Sequence, residues 1–454
     1  MSKSFGILRG AYYNESNHCA GACVIFMDFK SLFHKKTNSE KAPADANKDT
    51  ALLTGPEITG AGGKEVSIIR LVGSLVQHGY KSKASDIHID PEENGVRVRM
   101  RIDGILHEAF LFAKELQSEI ITRLKVLSGL RTDEHQAAQD GRFKVKLDNG
   151  EAIDVRLSIT PTYYGENAVM RILAQQSENF SLEALGLSKE NYNRVLRGIK
   201  KPYGMILATG PTGSGKTSTL YTIIKALNTP EVSIITIEDP IEYSVSGIEQ
   251  IQVNARTGLT FADGLRSILR QDPNLIMVGE IRDEETAAIA VNAALTGHLL
   301  LSTLHTNDAV TSLPRLIDMK VEPFLISSTV NIAIGQRLVR KICVECKAKQ
   351  TITDAEYKSL TEVIPAKLLG NHREFYKGKG CDKCDHTGYR GRTGIHEVLE
   401  MTDEIRQAVM RQADASEIQK IASKNGMKTM LEDGFQKALE GITAIEEILR
   451  VVHE

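Results

Sequence analysis

The sequence is short of several things, and each shortage excludes a class of protein. No apolar run comes near the roughly 20 residues a membrane-crossing helix needs, so an integral membrane protein is not expected. Neither sign of charge is in excess: 56 Lys and Arg against 58 Asp and Glu leave a net charge of −2. A dedicated nucleic-acid binder carries a basic surplus, so nucleic acid is not an expected partner. Cysteine is scarce, six in 454 residues, which excludes the disulfide framework of a small secreted domain. Tryptophan is absent. The first residues hold no basic stretch followed by a long apolar one, so no secretory signal is expected and the cytosol is the natural compartment.

What is present is long enough for about three domains. Residues 1–63 carry little periodicity. Cys23–Phe29 could form a short element, and 35–64 reads as a polar linker. From 64 to 173 the pattern is α+β. Ile68, Ile69, Val72, Leu75 and Val76 fit one face of a helix, and Ile120, Ile121, Leu124 and Leu127 fit another. Asp86–Asp90 and Val96–Ile102 alternate at period two, as half-buried strands do. Phe143–Leu147 and Ile153–Leu157 flank Asp148-Asn149-Gly150, the signal of a hairpin. Residues 174–203 read as an interdomain linker with a short helix. From 204 to 454, apolar strands at 204–208, 232–237, 275–278 and 299–302 alternate with helical stretches, which implies a mostly parallel sheet. C-terminal helices close the chain, with Thr443–Glu446 matching a capping box.

The most informative residues are Gly210-Pro211-Thr212-Gly213-Ser214-Gly215-Lys216-Thr217, a complete Walker A loop, followed by Ser218. A buried strand precedes it. Leu220, Ile223, Ile224 and Leu227 after it share one helical face. Strand, glycine loop and helix together aim backbone N–H groups at a phosphate. Lys216 reaches the β- and γ-phosphates in such a loop, and the Thr217 hydroxyl binds Mg²⁺. Two further apolar strands end in carboxylates, at Glu238 and Glu280, on the edge where open α/β sheets bind ligands. Phosphoryl transfer to water needs a carboxylate for the metal or its water shell, and a group to orient the attacking water. His305 lies just past the strand at 299–302, where it could sense the γ-phosphate; His298 lies before it.

Cys343, Cys346, Cys381 and Cys384 form two C-x-x-C pairs. Four thiolates fit tetrahedral Zn²⁺ with no open position, a structural site. The 34 residues between the pairs exceed the about 15–20 of an ordinary zinc ribbon, so a small subdomain of about 338–396 is expected, closed by the metal. Gly378, Gly380, Gly388, Gly391 and Gly394 suit its turns. Cys19 and Cys23 have no second pair and read as free thiols.

Together these motifs resemble the ATPases of type II secretion and type IV pilus assembly. The resemblance rests on Walker A at 210–217, an Asp box at Ile237–Tyr243, an atypical Walker B at Asp272–Asp283 and a His box at Thr296–Asn307. Ala84–Ile89, Gln139–Phe143 and Pro161–Glu166 resemble upstream family stretches. It implies a RecA-like P-loop domain after an α+β, PAS-like domain, with ATP, Mg²⁺ and Zn²⁺ as cofactors. It implies that Glu238 activates water and Glu280 acts on Mg²⁺ directly or through its water, or the reverse. It implies a hexameric ring, peripheral at the inner membrane, acting on a platform protein and docking to a membrane-anchored partner. Arginines of the preceding domain would complete the site: Arg97, Arg99 and Arg101 project from one strand face, and Arg156, Arg266, Arg270 and Arg282 are further candidates. The tetracysteine element is a feature of assembly and secretion members. The rival readings are a nucleic-acid-translocating motor and a non-catalytic ATP-binding scaffold.

Overall fold

The computed structural model describes residues 67–147, 150, 152–173 and 181–452. Cys19, Cys23, the element expected at Cys23–Phe29 and the linker expected at 35–64 lie outside them, as does Asn149 of the expected turn.

The first domain comprises α1 (Ile68–Lys81), β1 (Ala84–Pro91), β2 (Val96–Ile102), β3 (Ile105–Phe112), α2 (Leu116–Ser128), β4 (Gln139–Lys146), β5 (Ala152–Thr162) and β6 (Gly165–Leu173). Its strands form one antiparallel sheet in the order β3-β2-β1-β6-β5-β4. The period-two alternation sorts each strand. Val96, Val98 and Met100 face the core, and Arg97, Arg99 and Arg101 the other side. Both helices pack on the buried face, with Leu71, Val72, Leu75, Val76, Ile120 and Leu124 in one core. Ile69 departs from the expected helix face: it is 62% exposed, and Leu71 takes the core position. The hairpin of β4 and β5 forms as its alternation predicts, with Phe143 opposite Val155.

The second domain begins earlier than its first strand. Within the stretch expected as linker, Leu182, Val195 and Ile199 join the core of the parallel sheet. The last two belong to α3 (Lys189–Ile199), which Ser188 caps by accepting from the Asn191 amide. The short helix expected in this stretch is thus α3, and it packs on the parallel sheet. The sheet uses β7 (Gly204–Thr209), β8 (Ile234–Glu238), β9 (Glu249–Gln252), β10 (Leu275–Val278), β11 (Leu299–Leu304), β12 (Val330–Ile342) and β15 (Tyr389–Glu400). Their order is β15-β12-β7-β11-β10-β8-β9, and every neighbouring pair is parallel except β12 with β15. β8 starts two residues later than the apolar run suggests, because the Val232 amide closes a turn on the Thr229 carbonyl at 3.1 Å. Helices α4 (Lys216–Leu227), α5 (Phe261–Ile268), α6 (Glu284–Leu295), α7 (Ser312–Asp318) and α8 (Pro323–Thr329) cover the faces.

Between β12 and β15 the chain makes an excursion: β13 (Lys347–Thr351), α9 (Asp354–Val363), α10 (Ala366–Leu369) and β14 (Glu374–Gly378). It then ends in α11 (Asp403–Met410), α12 (Ala415–Lys424), α13 (Met430–Leu439) and α14 (Ile445–Val452). Helix α14 begins at Ile445, one residue later than a Thr443 cap would place it, and the Thr443 hydroxyl donates to the Arg340 carbonyl at 2.8 Å. The excursion has no separate core. Ile352, Leu360, Ile364, Leu369 and Phe375 share one with Phe435, Ile448 and Leu449 of the last two helices.

Phe435 is 1% exposed and meets Phe375 edge-on, ring centroids 6.0 Å apart. Phe435→Ala should cost about 3–5 kcal/mol locally. Hydrogen exchange should then lose protection over both 352–375 and 445–451 while residues 84–173 stay protected. Loss confined to the C-terminal helices would separate the two.

Candidate active site

Parallel register decides what this sheet can do. Leu304 lies beside Thr209, Val278 beside Ser302, and Val278 beside Ile237. The chain segments leaving β7, β11, β10 and β8 therefore emerge at one edge, as open α/β sheets require of a ligand site. Those segments begin with the glycine loop, His305, Glu280 and the Asp box.

The loop turns tightly because its glycines occupy backbone space closed to other residues. Gly215, at φ 88°, caps α4 in the left-handed region. A Cβ on Gly210, at φ 140°, would lie 2.5 Å from the Gln336 carbonyl. Lys216 is buried, and its Nζ donates to the Gly210 and Pro211 carbonyls at 2.8 and 2.9 Å. Burial holds its pKa below the usual lysine value; Glu280 opposes that shift and Arg337 adds to it. The hydroxyls of Thr209 and Ser214 are buried here without a partner among the described residues. Such groups suit a loop that wraps an oxyanion.

Glu280 and Glu238 occupy different environments. Glu280 receives Arg282 on one oxygen at 2.5 Å and His305 Nε2 on the other at 3.0 Å. Both partners are open to solvent, with side chains 64% and 49% exposed. Glu238 is buried and held by neutral donors: the Tyr221 and Thr236 hydroxyls, each at 2.6 Å, and Gln250 Nε2 at 3.2 Å. Burial and this bond raise the Tyr221 pKa, so the phenol keeps its proton and remains a donor. His298 stands apart, its Nδ1 on the Ala293 carbonyl at 2.9 Å.

The arginines of the first domain have acid partners within it. Arg97 pairs with Glu92 and Glu108, Arg99 with Asp90, and Arg101 with Asp86. Acids of β1 thus answer Arg99 and Arg101, while Arg97 is answered by Glu92, just past β1, and by Glu108 of β3. The arginine that reaches the second domain is Arg156. It donates to the Ile241 carbonyl at 2.7 Å and pairs with Glu242 at 3.1 Å, both in the Asp box. Arg266 pairs with Glu285 and Asp263, and Arg270, just past the end of α5, donates to the Arg266 carbonyl.

The motifs did not reveal the residues that brace the site. Gln336 on β12 donates to the Ser214 carbonyl and accepts from the Thr219 hydroxyl, both at 2.7 Å, which joins the loop to the start of α4. Glu397 on β15 accepts from the Ala309 amide at 2.7 Å and the Met430 amide at 3.3 Å. Gly335 leaves room for this contact, since a Cβ there would lie 2.8 Å from the Ala309 nitrogen. The available signal was a polar residue inside an apolar strand, which must find a buried partner.

Cys343, Cys346, Cys381 and Cys384 place their sulfurs within 4.8 Å of one another. Three of the separations are 3.7–3.8 Å. That is the edge of a tetrahedron with metal–sulfur bonds of about 2.3 Å, and far longer than a disulfide. The amides of Cys381 and Gly388 point at the Cys384 sulfur, each at 3.3 Å. The donor set and its spacing fit zinc. Gly378 and Gly388 allow the backbones around it to touch: a Cβ on Gly378 would lie 2.0 Å from the Gly388 carbonyl oxygen.

A family model described as Type II/IV secretion system protein matches residues 62–450. The chain is 45% identical over 417 residues to the type IV pilus assembly ATPase PilB of Thermus thermophilus, covering 92% of this chain and 45% of that protein. It is 43% identical over 391 residues to type II secretion system protein E of Aeromonas hydrophila, covering 86% and 76%. It therefore spans under half the length of the Thermus relative and about three quarters of the other. Among solved structures, the pilus retraction motor PilT with bound ADP superposes with a TM-score of 0.57 at 26% identity, over 84% of this chain and 96% of that one. The ATPase DotB of Legionella pneumophila has the same fold, with a TM-score of 0.62 at 22% identity over 85% and 95%. The α/β, RecA-like expectation holds.

Burial pushes the Glu397 carboxyl up to about 7 from its ordinary 4.5. The folded state thus binds this proton more tightly than the unfolded one. Its contribution to stability is full below pH 4.5 and is lost as pH rises to about 7. Denaturation of Glu397→Gln, followed against pH, should lack the decline the native chain shows in that window. The same decline in both proteins would assign it to another group.

Proposed function

Because the chain belongs to the Type II/IV secretion system protein family, a family of ATPases, we propose that it hydrolyses ATP at the shared strand edge. A hexameric ring of copies would use that cycle to power type II secretion or type IV pilus assembly. The observation that carries this reading is the convergence of Lys216, Glu280 and His305 at one edge of a parallel sheet.

Residues 210–218 hold the triphosphate. Lys216 exchanges its loop carbonyls for the β- and γ-phosphate oxygens, and the Thr217 hydroxyl holds Mg²⁺, which offsets the charge that develops on the transferred group. Geometry favours Glu280 over Glu238 for activating water or holding the metal's water shell. The partners of Glu280 are exposed charged side chains that can swing aside, and its charge bears on Lys216. Glu238 is enclosed by neutral donors, and through Tyr221 it fixes the helix that follows the loop. His305 reports the γ-phosphate to the segment ending at Ala309. Arg97, Arg99 and Arg101 can complete the site of a neighbouring copy only by leaving their own acids, so Arg156 is the better-placed arginine within one chain.

No helix among the described residues is long and apolar enough to cross a membrane. This suits a ring that sits peripherally at the inner membrane and works on a platform protein there. The four cysteines hold one Zn²⁺, whose part is structural.

Glu280→Gln should retain ATP binding and ring assembly and lose at least a hundredfold in turnover, since general-base catalysis contributes about 10²–10⁴. A variant that cannot bind nucleotide would refute this placement, and a wild-type ring without turnover would make the protein a scaffold. Cys343→Ser should lower zinc content from about one ion per chain, measured by atomic emission, while ATP still binds. Unchanged zinc would sink the four-thiolate site.

A further inference from the structure

Arg337 follows Gln336 on β12, so it sits one residue from the brace of the phosphate loop. Only 8% of it is exposed. Its Nε is buried without a partner, and among the described residues no carboxylate or carbonyl accepts a hydrogen bond from it. An arginine cannot shed its proton, so a buried one without an opposing charge is costly.

One acid and one other cation act on it through charge, and neither accepts or shares a hydrogen bond with it. Lys216 is a second cation, and the two repel. Glu397 lies on the adjacent strand, but its oxygens already accept the Ala309 and Met430 amides. By the alternation of β12, Arg337 shares a face with Gly335, the face on which the segment after His305 packs. Arg337 thus lies on the strand face opposite Gln336, near enough for its charge to act on Lys216, which is spent on loop carbonyls, while the buried Nε of Arg337 has no hydrogen-bonded partner among the described residues. The ligand class that suits them is a polyanion with several equatorial oxygens, which a guanidinium fork grips at two points.

We propose that Arg337 is a further nucleotide-phosphate ligand, supplied by the same chain that supplies the glycine loop. The proposal rests on the reading of 210–218 as a phosphate loop. It is distinct from an arginine supplied by the first domain: Arg337 belongs to the sheet itself and needs no domain or subunit movement to be in place.

The test uses the full chain and Arg337→Met, which keeps much of the volume and removes the charge. ATP and ADP affinity would be measured by calorimetry with Mg²⁺, and melting temperature with and without nucleotide. Arg337→Met should weaken ATP binding by tenfold or more, as expected for a lost charge-assisted bond. Without nucleotide it should melt at or above the wild-type temperature, because a buried unpaired charge has gone. Arg337→Lys should keep the charge, lose the fork and fall between the two. Wild-type ATP affinity in Arg337→Met would overturn the proposal. So would a nucleotide-free melting temperature well below wild type, which would give Arg337 a partner within the protein. Lys216→Ala separates the two readings: if it binds ATP normally, the phosphate loop itself has been misread, whereas binding lost there and kept in Arg337→Met removes only the arginine.

Discussion

Parallel hydrogen bonding in register between β7, β11, β10 and β8 is the constraint from which the rest follows. A parallel ladder sends every strand's C-terminal end to the same side. The sequence places its glycine loop, His305, Glu280 and most of the Asp box just after those four ends. In an antiparallel sheet of the same strands only every second end would share a side, and the four could not gather at one edge. The apolar runs that make the strands are buried on both faces, as parallel sheets demand, and that burial supplies the rigidity a phosphate site needs.

β12 serves two sides of this arrangement. Its first half pairs with β7 in the same parallel sense, and its second half runs on past the phosphate loop as the partner of β15. Gln336, where the overhang begins, lies against the loop, and Gly335, the last residue paired with β7, against the segment after His305. Glu397 answers from β15 and ties that segment to the start of α13. The nucleotide edge, the cysteine excursion and the C-terminal helices therefore share one long two-stranded ribbon.

The parts legible in the sequence were the ones whose meaning is local. A glycine loop between strand and helix, an acid closing an apolar strand, and two C-x-x-C pairs each carry their chemistry within a few residues. The α+β pattern of the first domain was legible for the same reason, since alternation is a neighbour-to-neighbour property. Gln336 and Glu397 were not legible, because their partners lie 122 and 88 residues away. β12 and β15 went unread because the cysteine pairs suggested a self-contained module, whereas its apolar residues are completed by helices at the far end of the chain. The arginines show the limit of charge patterning. Period two places Arg97, Arg99 and Arg101 on one face correctly, but only the fold reveals that β1 supplies acids to Arg99 and Arg101 and that Arg156 reaches the Asp box.

That contact has a mechanical meaning. Arg156 grips the Ile241 carbonyl and the Glu242 carboxylate, three and four residues beyond Glu238 on the same short segment. The six-stranded sheet is thus fastened to the strand end that anchors Tyr221 and, through it, the helix behind the phosphate loop. A tilt of that sheet pulls on a tether only a few bonds long, and so small a length of chain has little slack to absorb it. Strain entering at Arg156 reaches the phosphate-binding helix as displacement, and displacement of that helix returns to the sheet along the same tether.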